Sequence, residues 1–323
     1  MECCCCFALN DCLKLIDFGI GEVEPKKLTD TFVVPPFSVL DTRQGYWQER
    51  KKAWKEIIND NGDSRQGALY KSSGDVVSDK LKAISNGVSI LDPILAEIAC
   101  LWFNVDGGTT FDCFAGDSVF GFVSSYLGHN FTGIELRPEQ VKLNQDRIDK
   151  TKTKGRYICD DGQNVAKHIK PDSQDLLFSC PPYFNLEVYS DMPNDASNQG
   201  EYKDFIKILD NAFSDAIKCL KNNRFAVIVC GDVRTKKGDY YRFPDDIKDI
   251  FTTNGMVLYN EMILVEAVGN SMLRASPNMK ARKVVKTHQN ILVFYKGDIK
   301  QIKTNFKELT FDSKNMESFG VDY

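Results

Sequence analysis

Between residues 109 and 230, short apolar runs alternate with amphipathic segments, and this alternation restricts the fold more than any other feature of the chain. The strand-length runs are Thr109–Phe114, Asn130–Leu136, Arg156–Asp160, Asp175–Cys180 and Phe225–Cys230. Helical patterns lie between them, near 118–127, 138–150, 163–169 and 201–222. Strands that alternate with helices predict an α/β fold: a parallel sheet with helices on both faces. Leu176-Leu177-Phe178 and Phe225-Ala226-Val227-Ile228-Val229 are apolar at successive rather than alternate positions, which marks central strands covered on both sides. After a short helix near 245–253, Met256–Val268 and Asn290–Tyr295 read as strands with no helix-length apolar pattern between them. They are expected to pair antiparallel at the sheet edge. Upstream, Ile94, Leu95, Ile98, Leu101 and Trp102 form the apolar stripe of a helix over Pro93–Phe103.

These patterns divide the chain. Residues 1–30 show no sustained period and read as a weakly structured leader. Residues 31–88 read as an N-terminal arm whose segment from Tyr46 to Trp54 is aromatic, basic and helically spaced, followed by a Gly-, Ser- and Asp-rich loop over 60–88. The regular domain covers 89–300, with a basic insertion at 267–290, and 301–323 is a tail. A net charge of −4 supplies no global footprint for nucleic acid, so such binding needs a local basic surface. No segment is apolar for long enough to span a membrane. The start Met1-Glu2-Cys3-Cys4-Cys5-Cys6 lacks the features of a signal peptide, and its four adjacent cysteines are badly spaced for one tetrahedral metal. No metal is expected. Cys113, Cys159, Cys180 and Cys230 fall in or beside expected buried strands, which suits reduced thiols and a cytoplasmic location.

Ligands of open α/β sheets bind outside the carboxyl ends of the strands. Asp112-Cys113-Phe114-Ala115-Gly116-Asp117-Ser118 occupies that place after the first core strand. Gly116 permits close backbone approach, and the helix that follows offers free N–H groups. Glu135 stands 19 residues after Gly116 at the end of the next strand, where a carboxylate can accept both hydroxyls of a ribose. Asp160-Asp161 ends the third strand and can accept an adenine amino group; a plain turn there is the alternative. The alternative for Asp112 is an N-cap or loop acid, and for Glu135 a solvated carboxylate at a strand end.

Cys180-Pro181-Pro182-Tyr183 follows the fourth core strand. This tetrapeptide resembles the Asp/Asn/Ser-Pro-Pro-Tyr motif of the DNA N6-adenine and N4-cytosine methyltransferases. Asp112 to Ser118 is similar to the Asp-x-Phe-x-Gly-x-Gly motif of the same enzymes, with Ser118 in place of the second glycine. The resemblance implies a class I methyltransferase Rossmann-like sheet, mostly parallel with a C-terminal antiparallel hairpin. It implies S-adenosylmethionine as cofactor, held by Asp112, Phe114, Gly116, Glu135 and Asp161, and DNA as partner. The base would be swung out of the helix. Its exocyclic amine would be held by Cys180 and the Pro181 carbonyl, with Pro182 stiffening the turn and Tyr183 stacking on the ring. Phage-encoded DNA modification methylases with Gln44-Gly45-Tyr46-Trp47-Gln48 and the same Cys-Pro-Pro-Tyr variant are similar over roughly 31–300, which implies action in a bacterial or phage-infected cell.

The first motif position departs from the family, since a thiol is a weak acceptor. Two rival readings follow: a C5-pyrimidine methyltransferase with Cys180 as nucleophile, or a non-catalytic nucleic-acid-binding protein with a relic donor pocket. Arg274, Lys280, Arg282, Lys283 and Lys286 lie in a stretch without acids, 267–290, and form the expected phosphate-contact surface unless they are simply solvated. Lys286-Thr287-His288-Gln289 resembles the Lys-x-His-Glu entry to a late strand in these enzymes. Arg43, Arg50, Lys51 and Lys52, with Tyr46, Trp47 and Trp54, form either a second contact surface or a packing face.

Overall fold

The computed structural model describes residues 36–58, 69–70, 91–184, 186–269 and 271–309. The expected leader, most of the 60–88 loop and the end of the tail lie outside these residues. One compact unit spans Pro36–Glu308.

Eight strands form one sheet: β1 (Val39–Asp41), β3 (Thr109–Asp112), β4 (Asn130–Glu135), β5 (Gly155–Cys159), β6 (Gln174–Ser179), β8 (Leu220–Cys230), β9 (Val257–Val265) and β10 (His288–Lys296). Their order is β1-β9-β10-β8-β6-β3-β4-β5. All neighbours pair parallel except β10, which runs antiparallel to both β8 and β9. This is the expected mostly parallel sheet with an antiparallel reversal near its C-terminal end. β2 (Leu69–Tyr70) and β7 (Glu187–Val188) form a separate antiparallel pair, so part of the expected 60–88 loop is extended and hydrogen-bonded.

The covering helices are α1 (Gly45–Ile58), α2 (Pro93–Phe103), α3 (Val119–Tyr126), α4 (Pro138–Thr151), α5 (Val165–His168), α6 (Tyr202–Cys219) and α7 (Phe243–Thr253). Two more are α8 (Ser271–Lys280) and α9 (Ile302–Asn305). α6 shows why these segments are helical: Phe205, Leu209, Ala212, Phe213 and Ala216 recur on one face, and all are fully buried against the sheet. The core strands are apolar without alternation because both faces are covered. Leu176, Leu177 and Phe178 have no solvent exposure, and neither have Ile291 to Tyr295.

Three expectations are corrected. The β9–β10 pair does not close the sheet, because β1 adds to β9 in parallel with Val39 opposite Ile263. A three-residue strand carries too little period to be seen in the sequence. Between β9 and β10 the chain forms α8, none of whose residues is buried, which is why no apolar pattern announces it. Cys159 is exposed rather than buried, because β5 is the opposite edge strand.

The N-terminal arm packs onto the core through polar contacts to α2. Asp92 caps α2 by accepting from Ile94 N (3.0 Å), with Pro93 at the first helical turn. The same carboxylate accepts from Trp47 Nε1 (3.2 Å) and Lys51 Nζ (2.7 Å). Glu97 is fully buried within α2 and accepts from Trp54 Nε1 (2.7 Å), Arg50 Nε (2.9 Å) and Arg50 Nη2. Trp47 and Trp54 are buried, seven residues apart on one face of α1. Both tryptophans and Arg50 therefore serve packing rather than an outer contact surface. Beyond β10, Phe306 packs on Phe225 with ring centres 5.0 Å apart, so the chain just past residue 300 belongs to the fold.

Candidate active site

The loop that leaves β3 begins with Asp112, whose side chain is 4 % exposed. It accepts from Phe114 N (2.8 Å) and from Ser179 Oγ (2.7 Å), tying the ends of β3 and β6 together. Ser179 therefore faces β3, while the next residue, Cys180, turns toward the cleft. Burial pushes the Asp112 carboxyl up to about 7 against these two donors. Gly116 takes a left-handed conformation (φ 50°), and the space where a Cβ would stand is open except for the Phe114 carbonyl oxygen at 3.9 Å. Ser118 supplies the N-cap of α3 by accepting from Gly121 N (3.2 Å), which accounts for a serine where the motif has glycine.

Glu135 closes this loop from β4. Its Oε2 accepts from Gly116 N (2.9 Å), so the 19-residue interval in sequence is a direct contact in space. Its Oε1 accepts from Arg137 N and Arg137 Nε, both at 3.0 Å. Burial raises the Glu135 pKa, and the Arg137 charge and hydrogen bonds oppose the rise. Asp160 and Asp161 separate in role. Asp160 pairs with His168 Nε2 (2.6 Å) and with Asn164 Nδ2 (2.8 Å), and the His168 bond chiefly holds it down at about 2. Asp161 instead lines the cleft, accepting from Gln163 N (2.9 Å) and Asn194 Nδ2 (2.9 Å). Gly162 is packed so closely beside it that a Cβ would stand 2.3 Å from the Cys113 carbonyl oxygen.

Cys180, Pro181, Pro182 and Tyr183 form the facing wall. One continuous cleft is lined by Asp112, Phe114, Gly116, Glu135 and Asp161 on one side and by these four residues on the other. All nine sit at the carboxyl rim of neighbouring parallel strands. Cys180 Sγ lies 3.6 Å from the Tyr183 hydroxyl, and the Tyr183 ring meets Phe243 edge-on at 5.9 Å. Burial raises the Tyr183 pKa well above its ordinary value. The turn is held by Phe184, a buried side chain at φ 52°, which packs against Tyr202, Phe205 and Tyr241. A left-handed non-glycine residue costs about 1–2 kcal/mol, and the aromatic cluster around Phe184 offsets it.

Several residues of the site carry no motif. Arg137 clamps Glu135 and lies 5.8 Å from the centre of the Tyr189 ring, which also lines the cleft. Gln140 and Asn144 are buried polar residues one turn apart on α4, and Asn144 Nδ2 donates to the Gly116 carbonyl (2.8 Å). That polar pair on a buried helix face was the signal available for them. Gly231 follows β8, and its Cβ position is 3.2 Å from the Tyr183 ring and 3.4 Å from Lys286 Nζ. Lys286 pairs with Asp232 (2.7 Å), so among the expected basic residues it is held beside the Tyr183 wall. Arg274, Lys280, Arg282 and Lys283 lie on or just after α8, outside the cleft. Among the described residues no His, Cys, Asp and Glu cluster is fit to hold a metal ion, and no helix is long and apolar enough to cross a membrane.

The sheet order places the cleft at the carboxyl rim of its parallel strands. Residues 174–320 match the N6/N4 methylase family, described as a DNA methylase. That matched span is a little under half of the chain, and over it the chain is similar to the DNA methylase family. The match opens at β6 and includes the Cys180–Tyr183 turn, whereas the loop after β3 precedes it. No curated relative matches the sequence. Solved structures similar to the chain include TrmN from Thermus thermophilus, at 13% identity and TM-score 0.45, over 64% of this chain and 49% of that one. A TehB-like SAM-dependent methyltransferase from Corynebacterium glutamicum aligns at 17% identity and TM-score 0.41, over 68% and 93% of the two chains. A methyltransferase from Pyrococcus furiosus aligns at 17% and 0.42, over 67% and 94%. The present chain spans about half the length of the first of these.

Proposed function

We propose that this enzyme uses S-adenosylmethionine to methylate the exocyclic amino nitrogen of a base extruded from DNA, N4 of cytosine or N6 of adenine. The observation that carries this reading is the single cleft that joins Gly116, Glu135 and Asp161 to the Cys180–Tyr183 turn. The residues fit a nucleoside-bearing donor. The space above Gly116 is open, Glu135 has lone pairs left after its three bonds, and Phe114 and Leu136 supply apolar walls. When bound, the donor supplies an electrophilic methyl group on a positively charged sulfur.

The other side of the cleft handles the amine. The lone pair of an exocyclic amine is delocalised into its ring, so the amine is a poor nucleophile until its hydrogens are engaged. The Pro181 carbonyl and Cys180 Sγ are the acceptors at hand, the carbonyl the stronger of the two. Consecutive prolines fix the backbone that aims this carbonyl. Tyr183 presents a ring face for stacking. Once alkylated, the nitrogen is acidic, and its proton passes to water. The basic residues Arg274, Lys280, Arg282, Lys283 and Lys286 contact the phosphates of the bound DNA.

Mass spectrometry of nucleosides from DNA incubated with enzyme and methyl-deuterated donor tests this reading. Labelled N4-methylcytosine or N6-methyladenine is expected. Labelled 5-methylcytosine would overturn the amino assignment and make Cys180 a nucleophile. Donor binding without any labelled nucleoside would leave only a relic pocket.

A further inference from the structure

We propose that α8 is a stacking wedge: Met272 and Leu273 enter duplex DNA and occupy the gap left when the target base swings into the cleft. This rests on the DNA methyltransferase reading above and adds to it the device that opens the duplex. The connection between β9 and β10 leaves the sheet at the rim where the cleft lies, since His288 pairs opposite Val265 and Asn290 opposite Cys230. It is anchored beside the site at two points, Glu266 N donating to the Thr287 carbonyl (2.9 Å) and Lys286 pairing with Asp232. α8 is therefore carried by a connection rooted at the same rim as the Tyr183 wall.

The helix has an unusual surface. Met272 is 68% exposed, Leu273 56% and Met279 51%, although a helix of a globular domain ordinarily buries such side chains, and Val284 just past the helix is 68% exposed. The stretch 267–290 that contains them has five basic residues and no acid. Apolar tips set among cations match the chemistry of duplex DNA, whose phosphates lie on either side of stacked apolar bases. Met and Leu are among the side chains that proteins insert between base steps. The helix ends with Arg282 at φ 57°, where its N–H donates to the Met279 carbonyl (2.9 Å) and Lys283 N–H to the Asn278 carbonyl (3.0 Å). Glycine takes this position without steric cost; here it carries a guanidinium, next to Lys283.

A wedge is needed to open a duplex and superfluous on a single strand, which gives the test. The full chain is compared with its Met272→Ala/Leu273→Ala variant on double-stranded plasmid and on the same DNA heat-denatured. The expected result is a loss of about ten- to a hundredfold in kcat/KM on the duplex, the equivalent of losing part of the compensation for unstacking one step. Activity on denatured DNA stays within about threefold, because no stacked step has to be opened. Equal activity of variant and wild type on both substrates overturns the wedge. So does an equal loss on both, or light scattering that shows a wild-type dimer dissolved by the substitution, which would make a second copy the occupant of α8. In a parallel arm, Lys280→Ala/Arg282→Ala should lower the salt slope of plasmid binding by about two, as expected for two lost phosphate contacts; an unchanged slope overturns the basic flank. Failure of the wild-type enzyme to methylate either DNA overturns the methyltransferase reading, and the wedge with it.

Discussion

Asp112 is the most informative place to perturb the site, because its burial links pH to stability with a defined sign. Its carboxyl rises from an ordinary 3.8 to about 7 in the folded chain. A carboxyl whose pKa is raised on folding stabilises the native state below its unfolded pKa, and this stabilisation is lost as pH climbs through the folded value. Between pH 5 and pH 8 the native state therefore loses about 2–3 kcal/mol at this residue alone. Asp112→Asn removes the titration and retains the shape: the amide oxygen still accepts from Phe114 N and Ser179 Oγ. Urea unfolding of both proteins at pH 5, 6, 7 and 8 measures the effect. The variant should gain on the wild type by about 2–3 kcal/mol across this range, with most of the change below pH 7. A difference that stays flat, or that grows toward acid, would refute the argument that burial outweighs the two hydrogen bonds to the carboxylate at the head of the β3–α3 loop.

Other outcomes follow from contacts already described. Arg50→Ala leaves the fully buried Glu97 with Trp54 as its remaining side-chain partner among the described residues, and should destabilise the chain by about 3–5 kcal/mol in chemical denaturation. Cys180→Ser supplies a better acceptor and should retain or raise the rate of methyl transfer, whereas Cys180→Ala should lower kcat about tenfold, the equivalent of one hydrogen bond. Complete inactivity of the serine variant would contradict the acceptor role. Gly162→Ala drives a methyl group toward the Cys113 carbonyl at 2.3 Å, and should weaken donor binding in calorimetry and lower the melting temperature together.

The central strands were legible because burial on both faces leaves no polar positions to interrupt them, and their observed bounds fall within a few residues of expectation, Phe225–Cys230 gaining an N-terminal extension to Leu220. The two strand-end motifs were legible because each joins a backbone constraint, Gly116 or the Pro181-Pro182 pair, to a side chain with chemistry. What stayed hidden depends on distant partners. Ser179 gave no sign of bonding to Asp112, 67 residues earlier, because only adjacency of β3 and β6 makes them neighbours. Arg137 resembles any surface arginine until Glu135 is seen to be buried beside it. Trp47 and Trp54 suited a binding surface as well as a packing face until Asp92 and Glu97 were found to receive their N–H groups. α8 was invisible for the opposite reason, since it buries nothing and so has no apolar period.

The insertion of β10 between β8 and β9 also bears on how the chain assembles as it is synthesised. β5, β4, β3, β6 and β8 can form a five-strand half sheet as soon as residue 230 is available, and β9 can zip onto β1 once residue 265 is. The two halves share no sheet hydrogen bonds until the last strand arrives, although Phe225 of β8 and Tyr259 of β9 pack with ring centres 5.6 Å apart. Until then the free edge of β8, with Val227, Ile228 and Val229, stands open to other nascent chains. β10 is thus the keystone of the sheet, and a chain that stops short of His288 should clump rather than fold.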